Sequence, residues 1–348
     1  MKKILATILA LVLALGLCSV SWADGEGESG TTPSASTTVV AKIGEQGYAT
    51  LQAAVGAARA GDTIMLIENE TNADTIVVTK DINIEFGAYT VTGKPGAQVL
   101  CVKNAKVTLN GTTGGINGGS GGDNVAVVAA ENGEVTINGG IYTVGGDAKG
   151  LGNSTVYANG TGATVIINGG TFSSEKAYNG KYYVLNQNNN APGGIKVNGG
   201  NFVNYNPCKG DDANGGNFAP NAVVASTGTE ENVKYHVGND FIVEAAKETK
   251  DITVVQGTSI SGLPNDTKVT NGTDSAITVN GNTVTAGTSY TVPTKNTGGY
   301  YYYHPTTDTK TDTTTKGSPK TFDAGVGIYA VTAVLSVTGM AWTAKKRH

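Results

Sequence analysis

The sequence is poor in arginine, histidine and cysteine. Arg59 and Arg347 are the only arginines, and basic residues form few clusters, so the composition gives no indication of nucleic-acid binding. The three histidines and three cysteines show no spacing typical of zinc sites, and no metal ligand is assigned. His236 is the one histidine inside the predicted fold, where we expect a structural role.

Helical periodicity is also missing from the middle of the chain. Between residues 100 and 245, apolar residues do not recur with the helical period. This excludes doubly wound α/β folds, because such folds need crossover helices. Glycine makes up 50 of 348 residues but follows no Gly-X-Y period, which excludes collagen.

What the chain does contain is one pattern that recurs within residues 107–203. A short strand rich in Val, Ile and Thr leads into Asn-Gly, usually followed by a second Gly, a variable residue and an aromatic residue. Asn110, Asn138, Asn168 and Asn198 are separated by 28, 30 and 30 residues. A fixed period of this size indicates stacked units. The sequence therefore predicts an all-β parallel β-helix of about six rungs, about 29 Å long.

The corners and the aromatic residues of this repeat are its candidate functional positions. Gly and Asn tolerate the positive φ of a sharp bend, and stacked Asn side chains can form a hydrogen-bonded ladder. The aromatic residues either pack inside the solenoid or form a binding stripe. The stacked aromatic residues are Tyr142, Phe172 and Phe202, and the corners are Asn138, Gly139, Gly140, Asn168, Gly169, Gly170, Asn198, Gly199 and Gly200.

Cys101 and Cys208 lie about three rungs apart, roughly 14 Å at the spacing between strands. A disulfide needs Cα atoms within about 7 Å, so we expect both thiols to be unpaired unless the insertion that carries Cys208 folds back.

The N-terminus has the features of an exported protein. Lys2 and Lys3 precede an apolar run, and Ser21 and Ala23 are small residues at the cleavage positions. Residues 1–23 are therefore predicted to be a signal peptide that is cleaved after Ala23. Residues 24–40, rich in Gly, Ser and Thr, are predicted to be a disordered lead.

Residues 41–246 are assigned to the β-helix. Thr50 as an N-cap and Gly61 past the last turn predict a cap helix over residues 50–60, which covers the exposed end of the solenoid. At the other end, a last degenerate rung is predicted from three apolar runs, residues 222–225, 233–237 and 241–243.

Residues 247–303 are predicted to form a small β module of antiparallel hairpins, or a continuation of the last rungs. Turns are expected at Asn271-Gly272 and Asn280-Gly281. Tyrosines 300–303 either stack on sugar or pack as a strand. Residues 304–317 are a solvated Thr, Asp and Lys linker.

Residues 318–348 are predicted to anchor the protein at the cell surface. The apolar run 324–344 spans about 31 Å as a transmembrane helix, and the basic tail after it belongs on the cytoplasmic side. The preceding residues resemble an LPxTG sorting signal, which implies a sortase-type transpeptidase and the cell wall as partners. Ser318 stands in place of Leu and Phe322 in place of Gly, so attachment is covalent or only through the helix. The motif comprises Ser318, Pro319, Lys320, Thr321 and Phe322.

Two segments carry a resemblance to a known family. Residues 48–55 and 61–64, together with the Asn-Gly-Gly-x-Phe corners, resemble right-handed parallel β-helix (pectin-lyase-like) surface proteins of Gram-positive bacteria. The resemblance covers roughly residues 40–245. It implies a fold that carries lyases, hydrolases and inactive stalks alike.

The resemblance implies what the lyases of that fold share, which is a group of calcium-binding carboxylates with a basic residue nearby. No arginine lies within the repeats, so lysine would be the base, from Lys149, Lys176, Lys181, Lys196 and Lys209. Glycosidases need two carboxylates about 5–10 Å apart. The acidic candidates are Asp123, Asp147, Asp211 and Asp212, in loops that are either solvated or a calcium site.

The sequence as a whole favours a non-catalytic surface protein. Export and anchoring signals flank a solenoid in which no catalytic set is evident. We expect an adhesin or structural rod that binds glycans or host surfaces; the alternative is a polysaccharide lyase or glycoside hydrolase.

Overall fold

The computed structural model describes residues 38–119, 124–145, 154–175, 182–188, 191, 194–210 and 216–294, all in one compact unit that ends at Lys295. Most terminal features predicted from the sequence lie outside this range: the signal peptide with Ala23, the lead up to residue 37, tyrosines 300–303, the linker and the sorting signal. Among the described residues, no helix has the length and apolarity needed to cross a membrane.

A hairpin and a short helix cover the N-terminal end of the solenoid. They are β1 (Ala41–Ile43), β2 (Gln46–Tyr48) and α1 (Leu51–Ala57). Thr50 is the N-cap, and its hydroxyl accepts a hydrogen bond from the backbone N–H of Ala53 at 3.1 Å. The helix stops at Ala57, short of residue 60, because Ala58 has an extended ψ of 148°. The Lys80 ammonium donates to the carbonyls of Gly56 and Ala58, which the ended helix leaves without partners.

Three strands then recur in every turn. In chain order they are β3 (Thr63–Leu66), β4 (Glu70–Ala73), β5 (Ile76–Val78), β6 (Ile82–Glu85), β7 (Thr90–Gly93), β8 (Gln98–Val102), β9 (Lys106–Asn110), β10 (Gly115–Asn117), β11 (Val125–Ala130), β12 (Glu134–Ile137), β13 (Ile141–Val144), β14 (Ser154–Asn159), β15 (Thr164–Ile167), β16 (Thr171–Ser174), β17 (Leu185–Gln187), β18 (Ile195–Val197) and β19 (Gly200–Val203).

Every third strand pairs in parallel, which produces three sheets. Sheet I contains β3, β6, β9, β12, β15 and β18; sheet II contains β4, β7, β10, β13, β16 and β19; sheet III contains β5, β8, β11, β14 and β17. The fold is an all-β solenoid of about four turns. Inward side chains of all three sheets form one core, and polar residues alternate with them on the outside.

The number of turns is lower than the predicted six. The four turns from β6 to β17 pair in parallel in all three sheets. Before them, β4 meets β7 with a register shift. After them, the turn that contains β18 and β19 has no strand in sheet III among the described residues. The sequence pattern predicts a whole rung at each end because β-branched composition does not indicate whether the strands of a turn pair in all three sheets.

The aromatic residues of the repeat pack inside. Tyr142, Phe172 and Phe202 are fully buried, and successive ring centroids lie 5.2 and 5.1 Å apart with planes tilted by only 9° and 14°. Phe86 meets Tyr142 edge-on at 6.4 Å and ends the stack. Of the two interpretations, internal packing is therefore correct for these residues.

The two glycines of each corner meet different constraints. The second glycine has φ of 104° at Gly140 and 109° at Gly170, values that other residues rarely adopt. The first glycine lies where successive turns approach each other. A Cβ on Gly169 would be 2.5 Å from the carbonyl oxygen of Asn138 in the preceding turn.

The remaining elements follow the solenoid. They are β20 (Val224–Thr227), β21 (Lys234–Val237), α2 (Asn239–Thr249), β22 (Asp251–Gln256), β23 (Ser259–Ile260), β24 (Lys268–Asn271), β25 (Ile277–Val279), β26 (Asn282–Val284) and β27 (Ser289–Thr291).

The predicted degenerate rung is wrong. β20 and β21 form an antiparallel hairpin that extends sheet II beside β19, and residues 241–243 lie in helix α2. Ile242, Ala245 and Ala246 are the buried residues of this helix, at the i, i+3, i+4 spacing of an amphipathic helix. The helical pattern extends over only a few residues, and the apolar residues 241–243 near its start are equally compatible with a strand.

The hairpin prediction for the C-terminal region holds only in part. β25–β26 and β24–β27 are antiparallel, whereas β22–β24 and β23–β25 are parallel. Asn280 and Gly281 join β25 to β26 with φ of 45° and 84°, as in a type I′ turn. Asn271 is instead buried, and its amide donates to the carbonyls of Ser275 and Val284, both at 2.9 Å, so the chain does not turn back at that position.

We expect Gly169→Ala to destabilise the protein by about 1–3 kcal/mol, because the new methyl group cannot fit beside the preceding turn. Gly56→Ala, in α1, is the control. Its Cβ would meet open space, so higher helix propensity should leave stability unchanged or raise it by up to about 1 kcal/mol. Urea denaturation of both variants is the measurement; equal midpoints would contradict the close approach of turns at this corner.

Candidate functional site

A ladder of asparagine side chains runs along the outer edge of sheet I. The Nδ2 of Asn198 donates to Asn168, that of Asn168 to Asn138 and that of Asn138 to Asn110, at 2.9, 3.0 and 2.9 Å. Asn110 in turn donates to the carboxylate of Glu85 at 2.5 Å. All four amides therefore point the same way, and an anion accepts the last hydrogen bond.

Few of the acidic and basic residues that the sequence offers as catalytic or calcium-binding candidates fall within the described residues. Asp123, Asp147, Asp211, Asp212, Lys149, Lys176 and Lys181 lie outside the described residues. Lys196 and Lys209 line two adjoining surface depressions that share residues 220–223, and neither lysine lines the cleft described next. Cys101 and Cys208 are both free thiols, as predicted, and burial raises the pKa of Cys208 to about 11.

A polar cleft lies where helix α2 crosses the outer face of sheet II. Its volume is about 300 Å³. Side chains from four strands form its floor and helix α2 forms its wall. The lining residues are Thr171, Asn201, Val203, Thr227, Lys234, His236, Phe241, Glu244, Ala245, Glu248 and Thr249.

The repeat itself positions part of this floor. In the corner pattern, the variable residue precedes the buried aromatic residue, and successive residues of a strand face opposite sides. Because Phe172 and Phe202 point inward, Thr171 and Asn201 point outward. Asn201 lies directly beside His236 of the neighbouring strand β21.

His236 is the most constrained group of the cleft. Its Nε2 lies 2.9 Å from the hydroxyl of Thr227, and its Nδ1 lies 2.7 Å from Oδ1 of Asn201. Because Oδ1 only accepts, Nδ1 carries the proton and Nε2 accepts from the Thr227 hydroxyl. Burial, and secondarily the charge of Lys234, lower the pKa of His236 to about 4. The imidazole is therefore neutral at neutral pH, with both nitrogens engaged.

Helix α2 brings two carboxylates to the rim. Glu244 and Glu248 are one helical turn apart and both line the cleft. Glu244 also pairs with Lys247 at 2.6 Å. Phe241 contacts the bare corners of the solenoid, since a Cβ on Gly169 would lie 3.2 Å from its ring. This contact holds the start of the helix against the last turns.

These features define a β-solenoid with a polar cleft on the outer face of one sheet. Comparison of the chain with models of known families, with curated proteins and with solved structures finds no match. In the part of the chain that the structure describes, no three His, Cys, Asp or Glu side chains are grouped as a metal site. Functional inference therefore depends on the geometry of the cleft.

Most residues of this site carry no recognisable signal in the sequence. The outward orientation of Asn201 can be predicted from the sequence, because strand residues alternate between the two faces and the next residue, Phe202, points inward. Glu244 and Glu248 have the i, i+4 spacing of one helix face, but only once α2 is recognised as a helix. Thr227 has no signal, since only the pairing of β20 with β21 brings it to His236.

We expect the stability of the protein to fall as pH decreases from about 6.5 to about 4. In this window the unfolded chain binds a proton at His236 that the folded chain does not. The stabilising contribution of the neutral, buried imidazole is therefore complete above pH 6.5 and is lost as the pH falls below that value. The total is on the order of 3 kcal/mol. His236→Asn should flatten this part of the profile in urea denaturation from pH 7 to 4. Parallel profiles for the two proteins would contradict the buried neutral imidazole.

Proposed function

We propose that this protein is a surface-anchored, non-catalytic β-helix protein that acts as an adhesin and binds glycans in the cleft beneath helix α2. The observation that carries the proposal is the cleft floor, where amide and hydroxyl groups are fixed on a rigid solenoid. Thr171 and Asn201 are held by strand pairing, and a few well-placed polar groups are what orient a small ligand. Sugar hydroxyls are suitable partners because each both donates and accepts.

The state of His236 supports binding over catalysis. A general base needs a free lone pair and a pKa near the working pH. Nε2 of His236 already accepts from Thr227, and its pKa is about 4. The imidazole therefore orients Asn201 and Thr227 instead of accepting a proton from a ligand.

The location at the cell surface is proposed from the sequence. The signal peptide cleaved after Ala23, the motif at residues 318–322 and the apolar run 324–344 support export and anchoring. The resemblance to right-handed, pectin-lyase-like surface proteins of Gram-positive bacteria agrees with this location.

The alternative is a carbohydrate-active enzyme, a lyase or glycoside hydrolase. Glu244 and Glu248 favour it, because carboxylates one helical turn apart approach the separation that glycosidases use. An enzyme would release products from glycans over time, and Glu248→Gln would abolish the release. A binding protein would retain the same glycans without changing them.

We expect Thr171→Val to weaken retention of a bound glycan about three- to tenfold, the effect of one lost hydrogen bond. Neither Thr171 nor the control, Thr136 on the outer face of sheet I, uses its hydroxyl in a hydrogen bond within the described chain. Thr136→Val should bind as wild type does. The full-length protein is tested against plant-wall, mucin and host glycans by affinity electrophoresis; equal losses in both variants would exclude the cleft as the site.

We expect Pro319→Ala and Thr321→Ala to release the protein from the cell wall into the detergent-soluble fraction, because both residues belong to the proposed sortase motif. Lys310→Ala, in the linker before the motif, is the control and should remain wall-bound. If both motif variants resist detergent as wild type does, the protein is not attached by sortase.

A further inference from the structure

The cleft opens onto a longer surface. Its floor residues Thr171 and Asn201 belong to a row that continues across sheet II, one residue per turn. The strand register aligns Thr90, Gly115, Ile141, Thr171 and Asn201 in this row. From β19 to β7 the row covers four strand spacings, about 19 Å.

A second row lies beside the first. The same register aligns Thr92, Asn117, Thr143 and Ser173, two residues further along each strand and on the same face. Both rows are uncharged. Apart from Gly115 and Ile141, every position carries a hydroxyl or an amide. We call these two rows the sheet II trough.

Helix α2 ends the trough on one side. Its buried residues Ile242 and Ala246 pack with Ala225 of β20 and with Ile252 and Val254 of β22, the strands that extend sheet II beyond the solenoid. Helix α2 therefore covers the outer face from β20 onward, and no described segment covers it over the turns. The cleft, floored by β16, β19, β21 and the end of β20, lies at the boundary and forms the closed end of the trough.

We propose that the cleft binds the terminal residue of a linear, uncharged glycan and that the trough binds the sugars that follow it. This inference rests on the proposed glycan-binding function. It adds that the ligand is linear, that it is uncharged and that its terminal residue lies in the cleft. A closed end admits a chain terminus and excludes the middle of a polymer. Ile141 is 40 % exposed between Gly115 and Thr171, which suits contact with the apolar face of a sugar ring.

Charge also selects the ligand. Of the described residues that line the cleft, Lys234 carries the positive charge, against the carboxylates of Glu244 and Glu248. His236 adds no charge at neutral pH. An acidic polymer would be repelled from the rim and find no counter-charge among the two described rows of the trough, whereas a neutral polymer meets groups that only form hydrogen bonds.

The variant that tests the trough is Ile141→Arg, and the structure offers a matched control. Ile166, on the outer face of sheet I, is 38 % exposed on a strand of the same length. Ile141→Arg should leave monosaccharide binding unchanged and remove the gain of about tenfold in affinity that longer chains provide. Ile166→Arg should bind chains of every length as wild type does.

The measurement is titration calorimetry of the full-length protein with glucan, xylan, mannan and chitin oligomers, from monosaccharide to hexasaccharide, and with the parent polymers at two chain lengths. Affinity should rise over the first few sugars and then stay constant. One protein should bind per polymer chain at both lengths, because each chain offers one suitable end. Galacturonan oligomers of the same lengths should bind more weakly.

Binding that scales with polymer length would show internal recognition and overturn the closed-end assignment. Equal effects of Ile141→Arg and Ile166→Arg would overturn the trough. Preference for galacturonan would overturn the charge selection while leaving glycan binding in place. If none of these glycans binds, the proposed function fails and this inference with it.

Discussion

Parallel pairing of each turn with the next is the constraint on which the rest of the structure depends. It places every side chain directly beside its counterpart one repeat earlier, so a residue has to be compatible with a copy of itself. Flat aromatic rings meet this condition inside, where Tyr142, Phe172 and Phe202 stack about 5 Å apart. Asn meets it outside, because one amide both donates to and accepts from another. A row of identical charges would repel, and sheet I instead pairs Lys106 with Glu134 across turns.

The same constraint decides how much the sequence predicts. Where the chain repeats, a residue's neighbour is the same residue one period away, so spacing alone gives the contacts of Asn138, Asn168 and Asn198 and the stack beside them. The inward orientation of Phe172 and Phe202 follows in the same way. The number of turns does not follow, since it depends on whether each end closes against a cap.

The cleft is not predictable by this route because its contacts are not periodic. His236 meets Thr227 across 9 residues and Asn201 across 35, and neither separation is a multiple of the repeat. Helix α2 is short, and its docking depends on Phe241 finding corners that carry no side chain. The functional surface thus forms where the repeat stops and an irregular segment folds back onto it.

The uniform direction of the asparagine ladder has a consequence for how such a protein can change. Asn138 and Asn168 each lie between two other asparagines of the ladder, so deleting or duplicating one complete period between Glu85 and Asn198 leaves every hydrogen bond inside the ladder of the same kind. Only the carboxylate at one end and the helix-covered strands at the other are unique. Whole turns can therefore be added or removed. Such a change alters the distance between the N-terminal cap and the cleft but leaves the residues of both unchanged.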